Sequence, residues 1–119
     1  TREEKGRGLL QAPSGIIGLE TALSLVYREL VRPGHLTWEQ AIQRLTAAYA
    51  VYGLQGGQIR EGASADLTLF SPEESWTAGA FYSKAENTPF LNETLPGVVK
   101  LTICKGTIVY EDGKGVNCA

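Results

Sequence analysis

Apolar positions recur at two different periods along this chain, and the change divides it in half. Leu19, Ala22, Leu23, Val26, Tyr27 and Leu30 share the spacing of one helix face, and Arg32-Pro33-Gly34 closes that segment. Thr37 followed by Gln40 forms a capping-box pattern, in which each side chain satisfies a free backbone donor at a helix start. The helix it opens carries Trp38, Ala41, Ile42 and Leu45 on its apolar face, continued by Ala48, Tyr49 and Val51. The first half therefore reads as a helical pair with one buried side.

Beyond Gly53 the pattern becomes that of strands. Gly56-Gly57 and Gly62 punctuate a short segment around Ile59, and Asp66-Leu67-Thr68-Leu69-Phe70 then alternates as a half-buried strand does. Ser71-Pro72-Glu73-Glu74 predicts a turn and Ser75-Trp76-Thr77 a brief pairing, while Phe81 to Leu95 follows neither period. Val99, Leu101 and Ile103 share one strand face, Lys105-Gly106 supplies a two-residue turn, and Thr107-Ile108-Val109-Tyr110 returns as the partner. Polar, glycine-containing residues from Glu111 onward predict a frayed end. At the other end, Thr1 to Gln11 predicts loop, followed by a kinked Pro13-Ser14-Gly15 connection into the first helix.

Composition narrows the class. A chain of 119 residues with 43% hydrophobic content suits one core and is too short for two independent ones. It contains no methionine, so Thr1 is expected to be a processing or cloning boundary within something larger. Eleven basic and thirteen acidic residues give a net charge of −2 without a like-charged run, which disfavours nucleic acid and anionic membranes as partners. No apolar run approaches the roughly 20 residues of a membrane span, and the expected location is cytoplasmic. Cys104 and Cys118 lie far apart in no metal-ligand spacing, so neither a disulfide nor a metal site is expected of them.

The catalytic inventory is thin. His35 is the only histidine and lies in a Pro-Gly turn, whereas a metal site needs several converging ligands. Ser14, His35 and Asp66 supply the side chains of a triad, but no Gly-x-Ser-x-Gly elbow surrounds Ser14. The glycines from Gly53 to Gly62 lack the Gly-Lys-Ser/Thr ending of a phosphate loop. The adjacent pairs Glu3-Glu4 and Glu73-Glu74 read as solvated charge. Pro13-Ser14-Gly15 differs in kind, because backbone groups on an apolar-lined loop suit the amide edges of a small cyclic ligand.

Several motifs occur in series: Glu3-Glu4-Lys5, Ala12-Pro13-Ser14-Gly15-Ile16-Ile17-Gly18-Leu19-Glu20-Thr21, Gly57-Gln58-Ile59 with Gly62, and Ala65-Asp66-Leu67. They continue with Ser83-Lys84, Asn87-Thr88-Pro89-Phe90, and Gly97 with Thr102-Ile103 and Gly106. In this order they resemble the C-terminal part of bacterial dihydroorotases, members of the cyclic amidohydrolase superfamily, over nearly the whole chain. The Gly-Ile-x-Gly-Leu-Glu-Thr and Asn-Thr-Pro-Phe pieces are specific to dihydroorotases, whereas Ala-Asp-Leu and the closing hairpin occur across the superfamily.

The resemblance implies an α+β fragment: the last helices of a metal-dependent (β/α)₈ barrel, then C-terminal strands of a small β-sandwich assembled from both ends of the parent chain. Residues 1–18 would be a loop with the substrate-contact segment, 19–54 the helical end of the barrel, and 55–119 the sandwich strands. The implied activity is the zinc-dependent interconversion of N-carbamoyl-L-aspartate and L-dihydroorotate in pyrimidine biosynthesis. There zinc polarises the amide carbonyl and activates water while an aspartate shuttles the proton. The metal ligands and that aspartate would lie upstream, with the aspartate's motif ending just before Thr1, so this fragment would bind no zinc and turn over nothing. The role carried over is substrate contact by Ser14 and Gly15, helped by Pro13.

Two departures matter. Ser14 stands where relatives often carry a bulkier residue, implying a looser or more polar pocket. Ala47-Ala48 replaces an Asn-Pro pair, so the second helix is expected to run unbroken towards Tyr52. Two alternatives stand beside the main reading: an allantoinase or dihydropyrimidinase relative, and an inactive dihydroorotase-like structural partner, for instance of aspartate transcarbamoylase. Besides a small-molecule substrate, the implied partners are the missing N-terminal part of the same protein and a second copy in a homodimer.

Overall fold

The structure is a computed structural model and describes residues 6–8, 10–11 and 15–116. A helical layer is followed by an antiparallel sheet of four strands in the order β1-β2-β3-β4. The helical layer comprises α1 (Ala22–Val26), a π-helical turn (Tyr27–Val31), α2 (Trp38–Thr46) and α3 (Ala48–Val51). The strands are β1 (Leu67–Thr77), β2 (Thr94–Cys104), β3 (Thr107–Glu111) and β4 (Gly115–Val116). The architecture is thus α+β, helices first and strands second, as the two periods predict.

The first helix departs from the predicted pattern in both its end and its buried face. Its last turn widens, and the amide of Arg32 donates to the carbonyl of Tyr27 at 2.8 Å. Pro33 has no N–H to continue the ladder, so the carbonyls ahead of it are taken by Arg32, Gly34 and Leu36. The fully buried residues of this region are polar, Thr21 and Ser24, whereas Leu19, counted on the apolar face, is 97% exposed. A hydroxyl can be buried here because β2 and Trp76 supply its hydrogen-bond partners.

The capping box forms as read. The Thr37 hydroxyl accepts from the Gln40 amide at 3.3 Å, and the Gln40 side chain accepts from the Thr37 amide at 3.0 Å. The second helix, however, is interrupted at Ala47 instead of running unbroken towards Tyr52. A side-chain bond sits at the break: the Thr46 hydroxyl donates to the Ile42 carbonyl at 2.9 Å, a bond of the kind that competes with the backbone ladder. Gly56 then lies against the ring of Tyr49, where a methyl group would overlap it.

Trp38 ties the layers together. Its ring stacks on Tyr27 with centroids 5.0 Å apart and meets Phe70 of β1 at 5.3 Å.

The sheet is longer and more irregular than its pattern predicts. Ser71-Pro72-Glu73-Glu74 does not turn the chain: Ser71 pairs with Val98 and Ser75 with Pro96, so Pro72 to Glu74 bulge opposite Gly97 within one strand. A proline without an N–H is tolerated at such a bulge. A second irregularity sets Lys100 outside the β1–β2 register, and its ammonium bridges Glu74 at 2.6 Å and Asp112 at 2.8 Å. The polar end is not frayed as far as Val116, since β4 pairs Gly115 and Val116 with Glu111 and Tyr110.

Lys105-Gly106 forms the predicted turn, both residues having positive φ, +49° and +80°. Ala65-Asp66 holds it from outside: the Asp66 carboxylate accepts from the Lys105 amide at 2.8 Å, and the Ala65 carbonyl accepts from the Gly106 amide at 3.0 Å. The bond from Lys105, with help from Ser64, lowers the Asp66 pKa below its ordinary value of 3.8. A depressed folded pKa contributes stability that is present above 3.8 and is lost as pH falls through the folded value. Asp66→Asn keeps an acceptor oxygen but removes the titration. Acid unfolding followed by circular dichroism should therefore show a shallower loss of stability below pH 3.8 in the variant than in the wild type; identical acid limbs would refute the anchor.

Candidate functional site

The Gly15–Glu20 segment and the long excursion between β1 and β2 form one docked unit. Ala78 and Glu93 close the excursion: the Ala78 amide donates to the Glu93 carbonyl at 2.9 Å, and the Asn92 amide donates back to Ala78 at 2.6 Å. From that base the loop reaches across to the start of the first helix and is attached at three places.

Asn87 makes the first attachment. Its side-chain amide donates to the Gly15 carbonyl at 2.7 Å, and its own carbonyl accepts from the Ile17 amide at 3.0 Å. Glu20 makes the second, its carboxylate accepting from the amides of Tyr82 and Ser83, each at 3.0 Å. Arg28 makes the third: its guanidinium binds Glu93 at 2.9 Å and Glu29 at 2.6 Å, and lies 5.8 Å from the Phe90 ring centroid. These two carboxylates raise the Arg28 pKa, Glu93 contributing most, and the guanidinium stays charged against both.

Of the predicted substrate-contact residues, Gly15 is exposed and adopts φ +72°, a conformation that glycine takes without steric cost. Pro13 and Ser14 lie outside the described residues, as do Glu3, Glu4 and Cys118. The triad drawn from Ser14, His35 and Asp66 gains no support, because the Asp66 carboxylate is occupied by the hairpin turn. Glu74 is engaged by Lys100, and Cys104 is an exposed free thiol.

A cavity of about 360 Å³ lies between the first helix and the sheet, lined by Glu20, Ser24, Trp76, Tyr82, Gly97 and Tyr110 among others. The Ser24 hydroxyl accepts from the Trp76 indole at 3.0 Å and donates to the Gly97 carbonyl at 3.2 Å. Tyr82 and Tyr110 meet edge to face at 6.0 Å, and burial raises the Tyr110 pKa. Ser24, Trp76 and Gly97 satisfy one another, and the described lining presents no nucleophile paired with a base. A second cavity of about 360 Å³ lies among the Gln55–Ser64 loop residues, with Gln58 and Arg60 on its wall.

Among the described residues, no group of three or more His, Cys, Asp or Glu side chains converges to hold a metal ion. No helix among them is long and apolar enough to cross a membrane. The described residues thus offer exposed backbone at Gly15, with Asn87 and Glu20 tying the two loops together. Sequence patterning passed over these two supports as functional residues. Both lie in motifs that carry the family resemblance, which was the available signal.

Comparison with known proteins identifies the family. The model of the amidohydrolase family matches residues 9–109. The chain is 50% identical over 111 residues to a dihydroorotase of Clostridioides difficile, covering 92% of this chain and 26% of that protein. It is also 50% identical over 115 residues to a dihydroorotase of Clostridium acetobutylicum, covering 94% and 27% respectively. The chain thus spans about a quarter of the length of the curated relatives it matches.

Among solved structures, an L-hydantoinase (dihydropyrimidinase) from Arthrobacter aurescens superposes with a TM-score of 0.76 at 26% identity, over 98% of this chain and 28% of that one. A D-hydantoinase (dihydropyrimidinase) from Thermus sp. gives 0.81 at 23% identity, over 95% and 26%, a likeness of fold alone. With a family model that spans most of its length and a fold shared with hydantoinases, this chain belongs to the amidohydrolase family.

Proposed function

We propose that this chain is the C-terminal quarter of a dihydroorotase, the enzyme that cyclises N-carbamoyl-L-aspartate reversibly to L-dihydroorotate, and that it contributes one wall of the substrate site. The observation that carries this reading is the 50% identity to proteins named dihydroorotase over more than nine-tenths of the chain. The hydantoinase alternative has the fold in its favour but only 23–26% identity in the two structures compared. In this reading residues 1–18 carry the substrate loop, 19–54 end the (β/α)₈ barrel and 55–119 belong to the β-sandwich.

Packing supports a role within a larger body. The fully buried hydrophobic side chains among the described residues are Ala41, Ala78 and Leu95, while Leu19 is 97% and Ile59 90% exposed. The radius of gyration is 16.4 Å, against about 13.5 Å for a compact domain of this length. Such faces suit burial against the remaining barrel and sandwich.

Amidohydrolases are generally metal-dependent, and the described residues do not fit a metal. We assign the zinc ligands and the proton-transfer aspartate to the upstream part of the protein. Pro13, Ser14 and Gly15 then contact the substrate through backbone groups, which match the alternating N–H and C=O edge of a cyclic imide.

The test is an assay of the longer protein carrying this segment, loaded with zinc, on dihydroorotate, carbamoyl-aspartate, allantoin and hydantoin. The expected result is a preference for dihydroorotate over hydantoin of at least about a hundredfold in kcat/KM. Turnover confined to allantoin and hydantoin would refute the assignment, and no turnover of any ring would favour an inactive structural partner.

A further inference from the structure

We propose that Asn87 is the positioning residue of the substrate loop, holding the Gly15 peptide in the orientation that recognises the ring; this rests on the substrate-contact role assigned to Gly15 above. Asn87 is half-buried and 72 positions downstream of Gly15. Its side-chain amide and its backbone carbonyl grip two peptide units of the loop, Gly15 through its carbonyl and Ile17 through its N–H, at 2.7 and 3.0 Å. The two bonds have opposite polarity and lie two residues apart, so together they fix the rotation of the intervening backbone as well as its distance.

That constraint has work to do at Gly15. A glycine at φ +72° has no side chain to hold it and moves between backbone wells more freely than any other residue. Without a partner, the peptide groups of such a loop would sample several orientations, and the ordering would fall on substrate binding. Asn87 removes part of that cost beforehand. Glu20 fixes the same excursion at the far side by accepting from Tyr82 and Ser83, so Asn87 projects from a loop tied down at its base and middle. An asparagine suits the position because one residue must donate from its side chain and accept at its main chain, and the short side chain leaves little slack.

A carboxylate at position 87 is nearly isosteric but cannot donate, and it would face the Gly15 carbonyl with like partial charge. In the longer protein, Asn87→Asp is expected to raise KM for dihydroorotate about tenfold, the equivalent of about 1.4 kcal/mol, with kcat within about twofold. Hydrogen exchange at the Ile17 amide should accelerate by a similar factor in the same variant, since its acceptor is the Asn87 carbonyl. Asn87→Ser, smaller and uncharged, is read by the same two measures should the aspartate variant fail to fold.

An unchanged KM, or a fall in kcat alone, would overturn the proposal, as would Ile17 exchange at the wild-type rate. The failure of the dihydroorotase reading looks different: the wild type would then process hydantoin or allantoin instead, and the KM-against-kcat split at Asn87 is scored on that ring. If no ring is processed, Ile17 exchange decides, with acceleration supporting the clamp and its absence refuting it.

Discussion

Replacing Trp38 by alanine is expected to destabilise the protein by about 3 kcal/mol, because one indole ring joins three elements. It stacks on Tyr27 in the π-helical turn at an interplanar angle of 22°, and it tilts onto Phe70 of β1 at 45°. Removing it leaves a void between the helical layer and the sheet and leaves two aromatic rings without their partner. Trp38→Phe retains a ring and should cost about 1 kcal/mol. Urea unfolding of both variants checks the difference; an alanine variant within about 1 kcal/mol of the wild type would show that the stack contributes little.

Ser24→Ala is the second large effect, expected at about 2 kcal/mol, and its cause is polar. Ser24 is 2% exposed, and its hydroxyl both accepts from Trp76 and donates to Gly97. Alanine fits the space but leaves an indole N–H and a buried carbonyl unpaired. The penalty comes from those two orphaned groups more than from the serine itself. Trp76→Phe removes one of them, so the double variant Ser24→Ala/Trp76→Phe should cost less than the sum of the singles by at least about 0.5 kcal/mol. Strict additivity in the same unfolding experiment would mean that the hydroxyl and the indole act independently.

Much of the local structure was legible along the chain. The capping box at Thr37 and the turn at Lys105-Gly106 depend on neighbours within four residues, and each appears where its pattern places it. Errors fell where a distant or competing partner intervened. Ser71 to Glu74 has the composition of a turn, yet β2 pairs on either side of it and absorbs it as a bulge. Ala47 lacks any helix breaker, yet the helix is interrupted there, beside Thr46, whose hydroxyl donates to the Ile42 carbonyl. Ser24 has no apolar signal and is nevertheless buried, because its partners arrive from 52 and 73 residues away.

The candidate site divides in the same way. Sequence alone singled out Gly15 and its loop as the candidate, since proline and glycine at that spacing constrain the backbone directly, and the series of motifs pointed to the family. Sequence also set the succession of helical and strand periods. What only the tertiary structure decided is how the loop is held. The bonds from Asn87 to Gly15 and Ile17, and from Tyr82 and Ser83 to Glu20, join segments more than sixty residues apart. Periodicity records which face of an element is apolar, but a hydrogen bond between two loops leaves no period in either of them.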